Sequence, residues 1–240
     1  MKSFSVSRLG PRRLYPALGR RTMSTATNTN TTTAGDDTLG AAVRDVLAQD
    51  RNVMNFVHYT PSAVHAQRMQ TLRRQAPDVY RLERPQWLNH PRWHENSQMP
   101  PFHIHYRVEM QEVLRCLYQA CQETTAADEV ALLLRRAQTA FAACMRGLHG
   151  HVQIEEYACF PLYRECFPHL DIKFLYDDHQ ALHTAEQAVH AALHTAVRDA
   201  TRLPEALRVT LDFDTQLMAH LGEEEEVIVP LSLTDKDIWF

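Results

Sequence analysis

Two histidine–glutamate pairs, His151 with Glu155 and His220 with Glu224, repeat at one spacing 69 residues apart. Imidazole nitrogens and carboxylate oxygens bind iron, manganese and zinc, and a carboxylate has two oxygens with which to bridge two ions. Residues four apart share one helix face, so each pair presents its donors side by side. The repeat runs further: HVQIEEYACFPLY (151–163) and HLGEEEEVIVPLS (220–232) agree at five of thirteen positions, including His, both Glu and the proline. That proline has no N–H and clashes with the preceding turn, so it is expected to end each helix about two turns after its glutamate. A chain that builds the same ligand-bearing helix end twice is building two halves of one metal site.

The elements that must position these residues are helical. After Pro101 the apolar period is that of a helix, and it predicts helices over 102–123, 127–160, 172–200 and 204–229. The second carries a stripe at 130, 134, 137, 141, 144, 148, 151, 155 and 158, with steps of four and three, and two of those core positions are His151 and Glu155. The third passes through Leu175, His179, Leu182, Glu186, Val189 and Leu193. The fourth passes through Leu207, Phe213, Leu217, His220, Glu224 and Val227. Four long helices with short connections make an all-α, up-down-up-down four-helix bundle. Antiparallel order then brings His103, His151, Glu155, His179, His220 and Glu224 to one end. On the first helix His103 has apolar residues at +7, +10, +11 and +14, whereas His105 meets Glu112 and Arg115; the period favours His103 and leaves His105 as the alternative.

Several imidazoles and two carboxylates facing a dry core need a partner that offsets their desolvation. With no thiolate in register, the set suits Fe, Mn or Zn. Two glutamates able to bridge, with terminal histidines, favour a dinuclear non-haem iron centre.

The paired motifs and their prolines resemble the hemerythrin-like (HHE cation-binding) family, over about residues 99 to 232. Asp178-His179-Gln180-Ala181-Leu182 is similar to that family's third-helix DHxxL. The resemblance implies a four-helix bundle and two iron ions, oxo- or hydroxo-bridged, with Glu155 and Glu224 as bridges. His183, one turn after His179, resembles the fifth histidine of the oxygen-carrying branch and so completes an expected ligand set of His103, His151, Glu155, His179, His183, His220 and Glu224. Glu186, further along the same face, is the alternative third-helix donor. Two departures bear on activity. Oxygen carriers usually place an Asp five residues after the last His, where this chain has Glu at four, and the cysteine-pair segment of iron–sulfur repair members is missing. The expected function is binding of iron and a small ligand (O2, NO or peroxide) as carrier, sensor or scavenger, rather than turnover of an organic substrate. The alternatives are iron storage or homeostasis, iron–sulfur repair, weak di-iron oxidase or peroxidase activity, and a structural zinc site.

Composition narrows the rest. The net charge is −4, but residues 1–35 hold six basic groups and no acid, leaving 19 basic against 29 acidic groups, a charge of −10, for the remainder. Such a chain is a poor nucleic-acid binder. No apolar run approaches the length of a membrane span, and no Gly-rich loop suggests a nucleotide. Five cysteines without a CxxC suit a reducing compartment. The Arg-rich first 23 residues have the composition of a mitochondrial transit peptide; otherwise a cytoplasmic protein is expected. The expected organisation is a transit peptide and low-complexity linker over 1–35, an irregular arm with one short helix over 36–98, and the bundle over 99–235. Nothing fixes an oligomeric state. Glu223 and Glu226 read as a solvated face, Tyr106 and Tyr157 as candidate partners for a bound ligand, and the remaining histidines as surface or hydrogen-bonded groups.

Overall fold

The computed structural model describes residues 34–54, 58–96, 99–122 and 125–234; the basic segment read as a transit peptide lies outside them. The described chain is helical and, among the described residues, has no β-strand. Among the described residues, no helix is long and apolar enough to cross a membrane. Helix α1 spans Ala34–Ala48, α2 Ala63–Gln75, α3 Arg84–Trp87 and α4 Trp93–Asn96. The four long helices are α5 (Met99–Ala120), α6 (Ala127–Ile154), α8 (Phe174–Arg198) and α9 (Leu203–Thr234). Between α6 and α8 a π-helical turn, Glu155–Cys159, leads into α7 (Phe160–Cys166).

The long helices pack in a closed cycle: α5 against α6 and α9, and α8 against α6 and α9. Every position of the predicted stripes on α8 and α9 is buried, and from His220 onward α9 is buried on nearly every side. Helix α5 begins earlier than the period suggests, because Pro100 and Pro101 sit in its first turn, where no N–H is needed.

Beside a small third cluster that joins Trp87 and Trp93 of the arm to Val229 and Leu233, two large apolar clusters fill the interior. One, including Leu114, Leu117, Phe141, Leu148, Leu182, Phe213 and Leu217, occupies the middle of the cycle. The other joins Met99, Phe160, Tyr163, Leu175, Val227 and Ile228 to Met69, Leu72 and Tyr80 of the N-terminal arm. Along α5 and α8 the second cluster comes first and the central one follows, while along α6–α7 and α9 the order is reversed.

Both prolines depart from the expectation that they end a helix. Pro161 stands in the first turn of α7, directly after the π turn. There the hydrogen-bonding pattern is changing register and its missing N–H costs little. Pro230 lies within α9, which continues to Thr234. The predicted stripe on α6 also fails at its last position: Ala158 is exposed and Cys159 is buried. The π turn holds one extra residue, so the inward face moves on by one.

The arm is less irregular than its composition suggests. Helix α2 is capped by the Ser62 side chain, which accepts from His65 N at 3.0 Å. Its buried face, His65, Met69 and Leu72, has helical spacing, but a histidine and a polar surround hide it in sequence. Arg51 donates to both carboxylate oxygens of the buried Asp214, at 2.6 and 2.7 Å, and ties the segment after α1 to α9. Gln111 on α5 donates to the carbonyls of Val46 and Gln49, which takes up backbone groups left open at the end of α1.

Candidate metal centre

The structure brings six of the seven expected residues into one buried layer. His103 comes from α5, His151 from α6, Glu155 from the π turn, His179 from α8, and His220 and Glu224 from α9. On α5, α6 and α8 these residues occupy the turns between the two apolar clusters, for example between Leu148 and Cys159, and between Leu175 and Leu182; on α9 Glu224 lies between them and His220 next to Leu221. His105 is exposed, and His103 is fully buried.

The donors form two groups that share Glu224: His103, His151, Glu155 and Glu224 in one, His179, His220 and Glu224 in the other. Each carboxylate stands between a histidine of one group and a histidine of the other. Glu155 Oε1 lies 2.7 Å from His151 Nε2 and its Oε2 lies 3.5 Å from His179 Nε2. Glu224 Oε2 is 3.6 Å from His103 Nε2 and 3.5 Å from His220 Nε2. Among the described residues, none of the four carboxylate oxygens has a hydrogen-bond donor of suitable geometry, although all are buried. Buried carboxylates left in this way are costly unless a cation meets them, and four Nε2 atoms turned to the same space are the donors a cation would use.

The hemerythrin HHE cation binding domain, as a family, matches residues 107–232, more than half of the chain. The chain belongs to the hemerythrin HHE family. Among curated proteins and among solved structures, none matches it. The family match starts four residues after His103, so in this hemerythrin-like chain the α5 donor is placed by the geometry alone.

Two residues outside the expected set hold the imidazoles in place. The second glutamate of each repeat accepts from the Nδ1 of a histidine on a neighbouring helix. Glu156 Oε1 is 2.9 Å from His179 Nδ1, and Glu225 Oε1 is 2.9 Å from His103 Nδ1. A proton held at Nδ1 leaves the Nε2 lone pair facing the centre, as carboxylate–histidine pairs do around metals. On a regular helix Glu156 would point about 100° away from Glu155; the π turn that begins at Glu155 lets both glutamates serve the site.

Glu225 in turn meets Arg107 at 2.7 Å and Arg84 at 2.5 Å. Burial alone would raise its pKa, but the His103 hydrogen bond and the two guanidinium groups outweigh that and hold the carboxyl down to about 2. Glu155 and Glu224 have no such partners. Burial, reinforced by Glu156 for Glu155 and by Glu155 and Glu225 for Glu224, lifts both well above the usual carboxylate range. Burial lowers His103 and His151 to about 4, and lowers His220 well below its ordinary value. The imidazoles are therefore neutral and ready to ligate at neutral pH.

His183 is not brought into this layer. It projects from α8 to the surface, with its side chain 53% exposed, beside His149 and Glu186. A helix turns 100° per residue, so a step of four from His179 carries His183 off the inward stripe that Leu182 and Glu186 follow. Glu186 is buried but belongs to that same lateral group. The acidic run is not a solvated face either: Glu223 accepts from Ser62 N at 2.7 Å, and Glu226 accepts from Tyr59 Oη at 2.5 Å and pairs with His65 at 3.0 Å. The arm covers α9 there. Neither candidate tyrosine offers its hydroxyl to the centre: Tyr106 Oη donates to Gly147 O, and Tyr157 is 82% exposed. Tyr163 is the one that sequence reading missed. Its hydroxyl is buried without a hydrogen-bond partner, and Glu155 and Glu224 are among the groups whose charge it senses.

Proposed function

We propose that this hemerythrin-like protein holds two non-haem iron ions and binds a small ligand, O2, NO or peroxide, at them. The observation that carries the reading is the placement of Glu155 and Glu224, each between histidines of the two donor groups with its buried oxygens otherwise unmet. His103 and His151 would serve one ion, His179 and His220 the other. Imidazole with carboxylate and no thiolate is a donor set for iron, manganese or zinc, and paired bridging carboxylates in a helical bundle favour iron. The alternating order of the two apolar clusters along successive helices supports an up-down-up-down bundle around that layer.

When bound, the ion pair supplies the redox and ligand-binding chemistry. The chain's own work is to orient the donors through Glu156 and Glu225, to keep the imidazoles neutral by burial, and to exclude bulky molecules. Phe102 and Tyr106 lie against the His151 ring, and Phe160 stacks on the His179 ring with centroids 5.7 Å apart. These rings cover the imidazoles on those sides, and the burial of all six donors favours a diatomic molecule or a peroxide over an organic substrate.

One observation favours a second reading, iron handling or a weak oxidase. With His183 outside, four histidines and not five face the layer, which leaves more coordination positions open, and open positions favour turnover over reversible binding. Elemental analysis of protein purified from iron-replete cells should give about two iron atoms per chain, with the near-ultraviolet absorption of a bridged diferric pair. Stopped-flow mixing of the reduced protein with O2 or NO then separates the readings: a stable adduct marks ligand binding, and multiple turnovers mark oxidase chemistry. Zinc in place of iron would overturn both.

A further inference from the structure

A second group of metal-binding side chains lies on the flank of the bundle, apart from the buried layer. Glu186 on α8 is buried, its side chain 7% exposed, yet among the described residues its ion-pair partners are three imidazoles and no lysine or arginine. His149 Nε2 from α6 is 2.7 Å and His183 Nδ1 3.2 Å from the same oxygen, Oε2, and His190 Nε2 is 3.4 Å from Oε1. The His149, His183 and Glu186 donor atoms all lie within 4.8 Å of one another. These residues line a cleft of about 250 Å³ between α6 and α8, whose lining also includes His179 and Glu156. The half-exposed His149 and His183 side chains put the group within reach of solvent.

We propose that His149, His183 and Glu186 form a second, exchangeable site for one divalent transition-metal ion, with His190 within reach as a fourth donor. The site goes beyond the di-iron reading and does not depend on it. Two or three imidazoles with one carboxylate select ions such as Zn2+, Co2+, Ni2+ or Fe2+ over Ca2+ and Mg2+, which prefer oxygen alone. The parts differ in rigidity in the way binding requires. Glu186 is fixed by burial, while the His149 and His183 side chains are about half exposed, so each ring can swing outward to admit an ion. His183 also has an outer partner. The Gln187 side-chain amide meets its Nε2 at 3.1 Å, and on ligation through Nδ1 the proton moves to Nε2 and the amide turns over to accept it. The fifth histidine that the sequence pattern assigns to the buried pair thus belongs to a different ion.

The test is a count of Co2+ bound by the full chain, by equilibrium dialysis and visible absorption, for wild type, His149→Ala/His183→Ala and His183→Gln. Metal already present is measured first by elemental analysis. The wild type should take up one more Co2+ per chain than either variant, with d–d absorption that the variants lack. His183→Gln keeps an amide donor for Glu186, so its melting curve reports that the fold is intact while the ion is lost. All three chains share an untouched buried layer, so the difference of one ion is read whether that layer holds iron, zinc or nothing. Equal uptake by wild type and variants would show a hydrogen-bonded cluster only and overturn the site, as would an unchanged count in His183→Gln.

Discussion

Glu156 and Glu225 occupy the same place in the two halves of the repeat and do the same thing, each accepting from the Nδ1 of a histidine that another helix contributes. Identity in the repeat extends to the second glutamate and not only to the ligand pair, but nothing in the sequence assigns that glutamate a partner. A regular helix hides this, because adjacent residues point about 100° apart and only one of them is expected to face the centre. The same blindness affects Glu223 and Glu226. A run of four acids reads as solvated, and nothing local reveals that Ser62, Tyr59 and His65 lie over it. Metal binding should rank the glutamates. Glu155→Ala and Glu224→Ala should each lose most of the metal, since each removes a proposed bridge. Glu156→Ala should weaken affinity about 10- to 100-fold, as loss of an outer partner of a ligating histidine does. Chelator competition measures both. Wild-type affinity in Glu156→Ala would show that His179 needs no partner at Nδ1.

The π turn is the element that sequence periodicity could not supply. The four-and-three steps of the α6 stripe run unbroken to 158, yet the buried face passes from Glu155 to Cys159, Phe160 and Tyr163. Helix type and interior faces were legible on α5, α8 and α9 because long amphipathic stretches repeat the signal many times. A single extra residue is one event in one turn, and its propensity cost is small beside the packing that holds it. It also explains why the proline after it is tolerated. Deleting Tyr157, the most exposed residue of the turn, should let residues 154–160 close as an ordinary helix, with Phe160 and Tyr163 still packed on Leu175 and Ile228. Circular dichroism should then show unchanged helicity. Metal affinity should fall at least about tenfold, because Glu156 no longer reaches His179. A deletion variant that unfolds would place the bulge among the requirements of the fold rather than of the site.

At the scale of the molecule, a polar layer divides two apolar clusters, and its protonation sets how the metal-free chain responds to pH. Burial depresses His103 and His151 to about 4 from an ordinary 6.5, so between those values the unfolded chain binds more protons than the folded one. Their contribution is fully present above pH 6.5 and is lost as pH falls toward 4. Glu155 and Glu224 act with the opposite sign. Their folded pKa values are raised above 4.5, so the folded chain holds protons that the unfolded chain has released. That contribution is present below about pH 4.5 and is lost as pH rises through the folded values. In the metal-free wild type the two glutamates oppose part of the imidazole contribution, which His179 and His220 share, so its urea midpoint should fall less between pH 6.5 and 4.5 than that of a chain without them. The metal-free Glu155→Gln/Glu224→Gln variant keeps only the imidazole contribution. Its stability should fall with acidification by up to about 1.4 kcal/mol per pH unit for each histidine that charges on unfolding. Urea titrations at several pH values read this directly. A variant no more sensitive to pH than the wild type would mean that the two glutamates are ionised in the metal-free layer.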